Sequence, residues 1–347
     1  MPSLPAKPKV SVILPIRNEA DFIGRCLRSV MGNDVPAERM EILVVDGMSD
    51  DGTREIVRSL AAEDPRIRLL DNTRRTVPFA MNLGLAESKG DIIIRIDGHT
   101  TITADYVEQC VRTFVEHPDV WRVGGVMETV GERYMARVIA AAMSNPVGVG
   151  GGNWRIATEE GYADDVAFPT WARWVFDKVG LYDEQLVRNQ DSDLTQRISQ
   201  AGGITYRNPR MQTVYYSRGT LGKLGRQHYQ YGLWGIRTIQ KHGKPANLRR
   251  VAPLIFVLVW LVLIAGALLW RPGWMALSGF AAIYVLGLAY AFFHAAVRNG
   301  TKVALLVPVA CAVMHFTYGA GLLMGVIHWM VLRGRFIPKP EAHKLSR

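Results

Sequence analysis

Cysteine is scarce in this sequence of 347 residues, which holds three, at positions 26, 110 and 311. They are far apart and form no Cys-x-x-Cys pair, so neither a disulfide framework nor a zinc site is expected, as is typical of a reducing compartment. The N-terminus carries no apolar run, and a cleavable signal peptide is therefore not expected. Because Gly-x-Gly-x-x-Gly and phosphate-loop patterns are also missing, dinucleotide binding and P-loop chemistry lose support.

Acidic residues are missing from a long part of the chain, since none stands between Asp193 and Glu341. The net charge of +10 therefore divides into −8 over residues 1–193 and +18 over residues 194–347. No nucleic-acid partner is expected, because the basic charge does not cover the body of the chain. An acidic front part joined to a basic rear part fits a folded module tethered to anionic membrane lipids.

The rear part also contains long apolar runs. Residues 252–270 and 274–293 lack Asp, Glu, Lys and Arg, and each is long enough for a helix of about 20 residues to cross a bilayer. A third run, 303–332, contains Pro308 and a glycine-containing stretch at 317–321. It fits either one tilted span or a broken, re-entrant pair.

Basic residues near these runs predict the membrane topology. Lys241, Lys244, Arg249 and Arg250 precede the first span, which places the N-terminal module in the cytoplasm of a multi-pass inner-membrane or plasma-membrane protein. Three spans would then leave the basic tail outside, in conflict with the same rule. Either the third run re-enters or the rule is overridden, and the sequence leaves both open.

The front part alternates between β-branched runs and amphipathic helical stretches. Predicted strands cover residues 10–16, 41–47, 67–71 and 91–97. Such strands, separated by helices, predict an α/β domain whose parallel strands are covered on both faces. Ligands of such sheets bind at the carboxyl ends of the strands.

The expected domain organisation has four parts. These are an α/β domain over 1–220, a basic amphipathic segment over 221–251, a transmembrane region over 252–332 and a polar tail over 333–347.

Three groups of acidic residues are candidates for chemistry. Asp46 ends the second strand, where it can bind a base or a ribose, although Asp46 and Asp50 also fit helix N-caps. Asp97 and His99 follow the fourth strand and can hold one ion together with a diphosphate, or can be a turn residue and a surface histidine. Asp191 and Asp193 lie in the first turn of a predicted helix, as a general base or as carboxylates favoured by the helix dipole.

The order of these motifs resembles family-2 glycosyltransferases of the GT-A fold, over about residues 8–240. Within that family the chain looks most similar to succinoglycan-type exopolysaccharide glucosyltransferases. The matching stretches are VSVILPIRNE, VVDGMSDDGT, Ala80–Gly84, the Asp97-Gly98-His99 version of a DxD motif, Gly180–Glu184 and Gln190-Asp191. The resemblance implies a Rossmann-like mixed sheet followed by membrane helices.

The resemblance also implies roles for single residues. Asp46 would bind uracil or ribose, with Pro15, Arg17 and Glu19 lining the pocket, and Asn82 would contact substrate. Asp97 and His99 would hold a divalent cation on the sugar-nucleotide diphosphate, Mn²⁺ in preference to Mg²⁺ because of the imidazole. Asp191 would deprotonate the acceptor. Two departures are His99, where DxD has a second aspartate, and Gln190, where the family usually has glutamate.

The basic segment before the first span has two interpretations. Anionic lipid attracts each nearby Lys or Arg with about 1 kcal/mol, and an amphipathic helix on the membrane would suffice for that. The alternative is that Arg218, Arg226 and Gln227 bind an acceptor carrying a polyprenyl diphosphate.

The expected activity is an inverting, metal-dependent transfer of one sugar, with UDP-glucose as the donor implied by the resemblance, to a lipid-linked saccharide in exopolysaccharide or other cell-surface polysaccharide synthesis. Two alternatives stay open: a polyprenyl-phosphate glycosyltransferase, and a sugar-nucleotide-binding scaffold that has lost catalysis. The sequence does not determine the donor sugar, the linkage or the oligomeric state.

Overall fold

The computed structural model describes residue 2 and residues 4–149, 157–217 and 219–332. The chain forms two compact units. The first contains Met1–Glu128 and Asn153–Tyr216, and the second contains Thr129–Gly152 and Ser217–Arg347. The change of unit after Tyr216 lies close to the predicted limit at residue 220. The membership of residues 129–152 in the second unit has no counterpart in the sequence prediction.

A mixed β-sheet forms the centre of the first unit, as the GT-A expectation requires. Its path runs β3-β2-β1-β4-β8-β6-β9-β5, with β7 paired to β9. The first four strands are parallel, whereas β8 is antiparallel to β4 and β6, and β9 is antiparallel to β5 and β7. The strands are β1 (Val10–Ile16), β2 (Met40–Asp46), β3 (Ile67–Asp71), β4 (Ile92–Arg95), β5 (Thr100–Ile102), β6 (Arg122–Val130), β7 (Gly161–Tyr162), β8 (Ala167–Ala172) and β9 (Thr205–Tyr216).

The helices follow the predicted alternation in the front part and dominate the rear part. They are α1 (Ile23–Met31), α2 (Thr53–Glu63), α3 (Val77–Glu87), α4 (Tyr106–Glu116), α5 (Tyr134–Met143), α6 (Pro146–Val149), α7 (Trp174–Val179), α8 (Gln190–Gln200), α9 (Leu221–His242), α10 (Ala252–Leu269), α11 (Gly273–Asn299), α12 (Thr301–Ala304) and α13 (Val307–Gly325), followed by a π-helical turn (Val326–Val331). Short 3₁₀ turns cover Ala37–Arg39 and Leu248–Val251.

The core of the first unit lies on both faces of the parallel strands. Every residue of β1 is buried, because a parallel sheet with helices on both faces has no solvent-exposed face. Helix α1 buries Ile23, Cys26, Leu27 and Val30, at the spacing of one helical face. Such packing fixes where each strand ends, and therefore where the polar residues that follow it lie.

Within its described residues, the second unit contains three helical segments long and apolar enough to cross a membrane, Leu248–Leu269, Gly273–Asn299 and Thr301–Val331. They correspond to the three predicted runs. The proposed break at 317–321 lies inside the continuous helix α13, and Pro308 stands in its first turn, where proline's missing N–H interrupts no helical bond. Helices α5 and α6 belong to the same unit and pack against α11 and α13.

Helix α3 approaches β1 closely at Gly84, which generates a stability prediction. A Cβ at Gly84 would stand 2.6 Å from Ile13 Cγ2. We expect Gly84→Ala to lower the free energy of unfolding by about 1–3 kcal/mol, as overpacking does, measured by thermal unfolding of the detergent-solubilised chain. The matched control is Gly24→Ala in α1, whose Cβ would meet only ordinary contacts at 3.4 and 3.5 Å. In a chain that already carries Ile13→Ala, Gly84→Ala should lower the free energy of unfolding by less than it does in the wild type. Equal losses in the two backgrounds would contradict the contact.

Candidate functional site

Polar residues follow β1 and β2 where these neighbouring parallel strands end. Ile16, the last residue of β1, is the register partner of Asp46, the last residue of β2. The loops after them are tied together: the Asn18 side chain donates to Asp50 at 2.9 Å, and the Glu19 amide donates to the Thr53 hydroxyl at 2.8 Å. One edge of the sheet therefore carries both loops in a fixed arrangement.

Asp46 lies fully buried at this edge. Its carboxylate accepts hydrogen bonds from the Ser49 amide at 2.9 Å, the Ser49 hydroxyl at 2.5 Å and Arg54 Nη1 at 2.7 Å. Arg54 also pairs with Asp71 at 2.7 Å. Asp46 is thus not the N-cap of α2; Asp51 accepts the Thr53 amide at 3.1 Å instead. Donors from its own loop and from α2 hold the charge of Asp46 in place.

The other predicted donor-pocket residues flank this loop. Pro15 is buried, Arg17 is half-buried and Glu19 is buried. The Arg17 side chain lies on Gly47, where an added Cβ would stand 3.2 Å from Arg17 Cβ. Asn82 accepts from the Tyr182 amide at 2.9 Å and donates to the Tyr182 carbonyl at 3.0 Å. The Asn82 amide therefore supports the 180–184 loop, and contact of these residues with substrate stays a prediction.

Asp97 and His99 follow β4 in a tight loop. His99 Nδ1 lies 3.1 Å from Glu19 Oε1, and a histidine that donates Nδ1–H to a carboxylate offers Nε2 as a ligand atom. Gly98 permits this approach, because a Cβ there would stand 2.9 Å from Glu19 Cγ. The carboxylate of Glu19 thus orients the imidazole from the neighbouring strand.

Arg95 belongs to this site by its contacts, although no role for it was expected from the sequence. It is the last residue of β4, and its Nε and Nη2 contact Asp97 Oδ1 at 3.1 and 3.0 Å. The same guanidinium pairs through Nη1 with Asp191, at the start of α8. The signal that could have found it is an arginine inside the apolar run DIIIRID, since a buried charge requires partners.

The two acidic residues of α8 have different surroundings. Asp193 is fully buried and pairs with Arg197 at 3.0 Å, and Arg197 also donates to the carbonyls of Gly180 and Leu181. The Asp191 side chain is 45% exposed. Of the two candidates for a general base, Asp191 is therefore the one that a substrate can reach, whereas Asp193 supports a loop.

Neighbouring groups shift the pKa of the Asp191 carboxyl. Loss of hydration raises this pKa, the charge of Arg95 opposes the rise, and the charge of Asp97 adds to it. Because the side chain is still 45% exposed, the rise is smaller than for an enclosed carboxyl. Asp191 is thus a stronger base than an ordinary surface aspartate.

A divalent cation fits this edge of the sheet only together with a ligand. Among the residues that the structure describes, no group of three His, Cys, Asp or Glu side chains could hold a metal ion. Asp97 and His99 supply one carboxylate and one imidazole, and Mg²⁺ or Mn²⁺ bound at so few protein ligands takes the others from substrate phosphates and water. The donor set therefore fits a cation that arrives with a diphosphate.

The predicted acceptor residues belong to the second unit. Arg226 is exposed on α9, and Gln227 donates to the Tyr231 hydroxyl at 2.9 Å. Arg218 lies outside the described residues. The basic segment predicted over 221–251 therefore begins with one helix of 22 residues.

Comparisons with known proteins identify the family. The model of Glycosyl transferase family 2 matches residues 11–146. The succinoglycan biosynthesis protein ExoA of Rhizobium meliloti is 31% identical over 89% of this chain and 92% of its own. A dolichyl N-acetyl-alpha-D-glucosaminyl phosphate 3-beta-D-2,3-diacetamido-2,3-dideoxy-beta-D-glucuronosyltransferase of Methanococcus voltae is 24% identical, over 92% and 97%.

A solved structure gives the same answer for the fold. The mannosyltransferase PcManGT from Pyrobaculum calidifontis, in complex with GDP-Man and Mn²⁺, superimposes with a TM-score of 0.61, covering 91% of this chain and 89% of its own at 20% identity. The mixed sheet is therefore that of GT-A transferases. With a relative above 30% identity along nearly its whole length, this chain belongs to glycosyltransferase family 2.

Proposed function

We propose that this enzyme is an inverting, divalent-metal-dependent glycosyltransferase that moves one sugar from a UDP-sugar to a lipid-linked saccharide at the cytoplasmic membrane face. The donor that we propose is UDP-glucose. The product enters the synthesis of an exopolysaccharide or another cell-surface polysaccharide. The names of the bacterial and archaeal relatives support the class of pathway, and the membrane helices support a lipid-linked acceptor.

One observation carries the proposal: Arg95 contacts both the carboxylate next to the expected cation and the carboxylate expected to act on the acceptor. Donor and acceptor chemistry must occur within a few ångströms of each other in a single displacement. The two halves of the motif set, about 95 residues apart in sequence, meet on one side chain. A scaffold that only binds nucleotide does not require this meeting.

In the proposed mechanism each residue has one task. Asp191 accepts the proton of the acceptor hydroxyl as the oxygen attacks the anomeric carbon, and the nucleoside diphosphate leaves on the opposite face with inversion. Asp97 and His99 would hold the cation, Mn²⁺ in preference to Mg²⁺, which neutralises charge on the leaving diphosphate. Asp46 would bind the uracil or ribose, flanked by Pro15, Arg17 and Glu19, with Asn82 supporting the loop opposite.

The first prediction concerns the two carboxylates. We expect Asp191→Asn to lower kcat about 10²–10⁴-fold, the usual contribution of a general base, with the KM for UDP-sugar little changed. Asp97→Asn should instead weaken Mn²⁺-dependent binding of UDP as well as transfer. Labelled UDP-sugar, Mn²⁺ and membrane lipid extract give the rates, and titration calorimetry gives binding.

The control for these variants is Asp177→Asn, on the exposed surface of α7, which should retain full activity. If purified wild-type protein binds UDP but transfers nothing under any metal and acceptor, the scaffold alternative is correct. If the product is a single-sugar lipid without a diphosphate, the acceptor is polyprenyl phosphate. Unchanged activity of both active-site variants would reject the proposed chemistry.

The second prediction concerns Arg95 as a positioning residue for Asp191. The charge of Arg95 favours the carboxylate form of Asp191 and opposes the effect of Asp97 and Asp165, whose charges raise the pKa of Asp191. Removal of Arg95 therefore raises this pKa. A general base must be deprotonated to act. As the pH is lowered, kcat of Arg95→Met should therefore begin to fall at a higher pH than kcat of the wild type does. Arg95→Lys should restore much of the wild-type profile of kcat against pH. Equal profiles in both variants, with equally reduced rates, would indicate a structural role alone.

The third prediction concerns Arg226 on α9. If it binds the acceptor diphosphate, Arg226→Ala should raise the KM for acceptor about tenfold, the value of one charged hydrogen bond to phosphate, and leave the KM for UDP-sugar unchanged. Lys241→Ala, at the other exposed end of the same helix, is the matched control and should change neither. If both variants raise the KM for acceptor equally and attach more weakly to anionic membranes, attraction to lipid alone explains the basic residues. The same measurements on Arg218→Ala test Arg218.

A further inference from the structure

The third apolar segment poses a problem of topology. If three helices cross completely, the first span begins on one side of the membrane and the third ends on the other. The basic tail then lies outside, on the side where the positive-inside rule disfavours Lys and Arg. The contacts inside the second unit show at what depth this segment lies.

Helices α9 and α13 run side by side in the same direction. Gly225 of α9 faces Val313 and Thr317 of α13 at 3.3 Å from its added Cβ, and Trp329, one turn beyond α13, donates its indole N–H to the Leu233 carbonyl at 3.0 Å. The side chain of Gln240 donates to the Trp329 carbonyl at 3.3 Å. At 1.5 Å per residue the shared length, 313–329, is about 24 Å.

Small residues permit this close pairing along its middle part. Side chains at Gly232, Gly321 or Gly325 would collide with the backbone or side chains of the facing helix. The glycines at 319 and 321 therefore serve helix packing, as small residues do in membrane helix pairs, and do not interrupt α13. Wherever α9 lies, residues 313–329 lie beside it.

Helix α9 has the character of an interfacial helix. It buries Leu224, Leu233 and Trp234, and its basic side chains are spread along its length: Lys223, Arg226 and Lys241 are exposed and Arg237 is half-buried. Its C-terminal end continues into the basic stretch of Lys244, Arg249 and Arg250, directly before α10. Charged faces along a whole helix fit the headgroup layer and not the hydrocarbon interior.

The contacts of α13 with the hairpin of α10 and α11 agree with this position. Gly319, in the middle of α13, packs against Pro253 and Val257, in the first two turns of α10. Phe316, about one turn earlier in α13, lies beside Trp260, further along α10. Helix α13 therefore approaches the beginning of α10 as it proceeds, whereas a third span would run parallel to α10 and away from its beginning. The outer part of α10 instead exposes apolar side chains, with Val262 68% and Leu268 75% exposed, as expected for helices that face lipid.

We propose that only α10 and α11 cross the membrane, and that α13 lies with α9 along the headgroup layer as a helix pair whose partner is the anionic lipid surface. The chain then leaves this pair at Leu332 on the side where α10 begins and α11 ends. This inference is independent of the catalytic proposal, because it uses contacts of the second unit alone.

The experiment determines the side of four exposed positions with single cysteine variants of the full chain: Ala246→Cys before α10, Arg271→Cys between α10 and α11, Thr301→Cys after α11, and Leu332→Cys. Sealed membrane vesicles of known orientation are treated with a membrane-impermeant maleimide, before and after permeabilisation. The native cysteines are buried, so the wild-type chain serves as the blank, and an unchanged thermal unfolding temperature shows that each variant is folded.

The proposal expects Ala246→Cys, Thr301→Cys and Leu332→Cys to label from one side and Arg271→Cys from the other. Labelling of Leu332→Cys from the same side as Arg271→Cys would show that α13 crosses the membrane, and would overturn it. None of these results depends on which sugar is transferred.

Discussion

The ion pairs of Arg95 are the interaction on which the site depends. A guanidinium at the end of a buried strand costs several kcal/mol to dehydrate, and carboxylates in contact with it offset that cost. One of these follows directly in the chain, at Asp97, and the other arrives with α8, at Asp191. The docking of α8 against the sheet and the meeting of the two carboxylates are therefore the same physical event. A fold that places Asp191 elsewhere leaves Arg95 buried with part of its charge uncompensated.

Exposure then separates carboxylates that are fully buried from carboxylates that keep an open face. Asp46 pairs with Arg54 and Asp193 pairs with Arg197, and both carboxylates have no exposed side-chain surface. Asp97 and Asp191 share Arg95, yet 27% and 45% of their side chains remain exposed. All four carboxyls pair with an arginine, so pairing alone does not mark a catalytic group. Asp97 and Asp191, which share the guanidinium of Arg95 and keep an open face, are those that a diphosphate-bound metal ion and an acceptor hydroxyl can approach.

How much of this was predictable depends on the range of the interactions involved. The strands β1 to β4 follow from local runs of β-branched residues, and the predicted bounds 10–16 and 67–71 agree with Val10–Ile16 and Ile67–Asp71. The antiparallel half of the sheet rests on pairings between distant segments, such as β4 with β8, which no local pattern encodes. The role of Arg95 escaped for the same reason, since its partner Asp191 is fixed by tertiary packing. In α13 the glycines resembled a break, because the sequence does not display the facing helix that requires them.

The basic charge of the rear part acquires a specific meaning if α9 lies in the headgroup layer. Phosphates of anionic lipids and the diphosphate of a polyprenyl-linked acceptor occupy the same depth of a bilayer, since both link an apolar chain to a polar head. A helix in that plane, with Lys223 and Arg226 exposed, attracts both kinds of phosphate through the same charges. Lipid attraction and acceptor binding are therefore not alternatives for the helix as a whole. They differ residue by residue, according to which cations face the acceptor and which face the surrounding lipid.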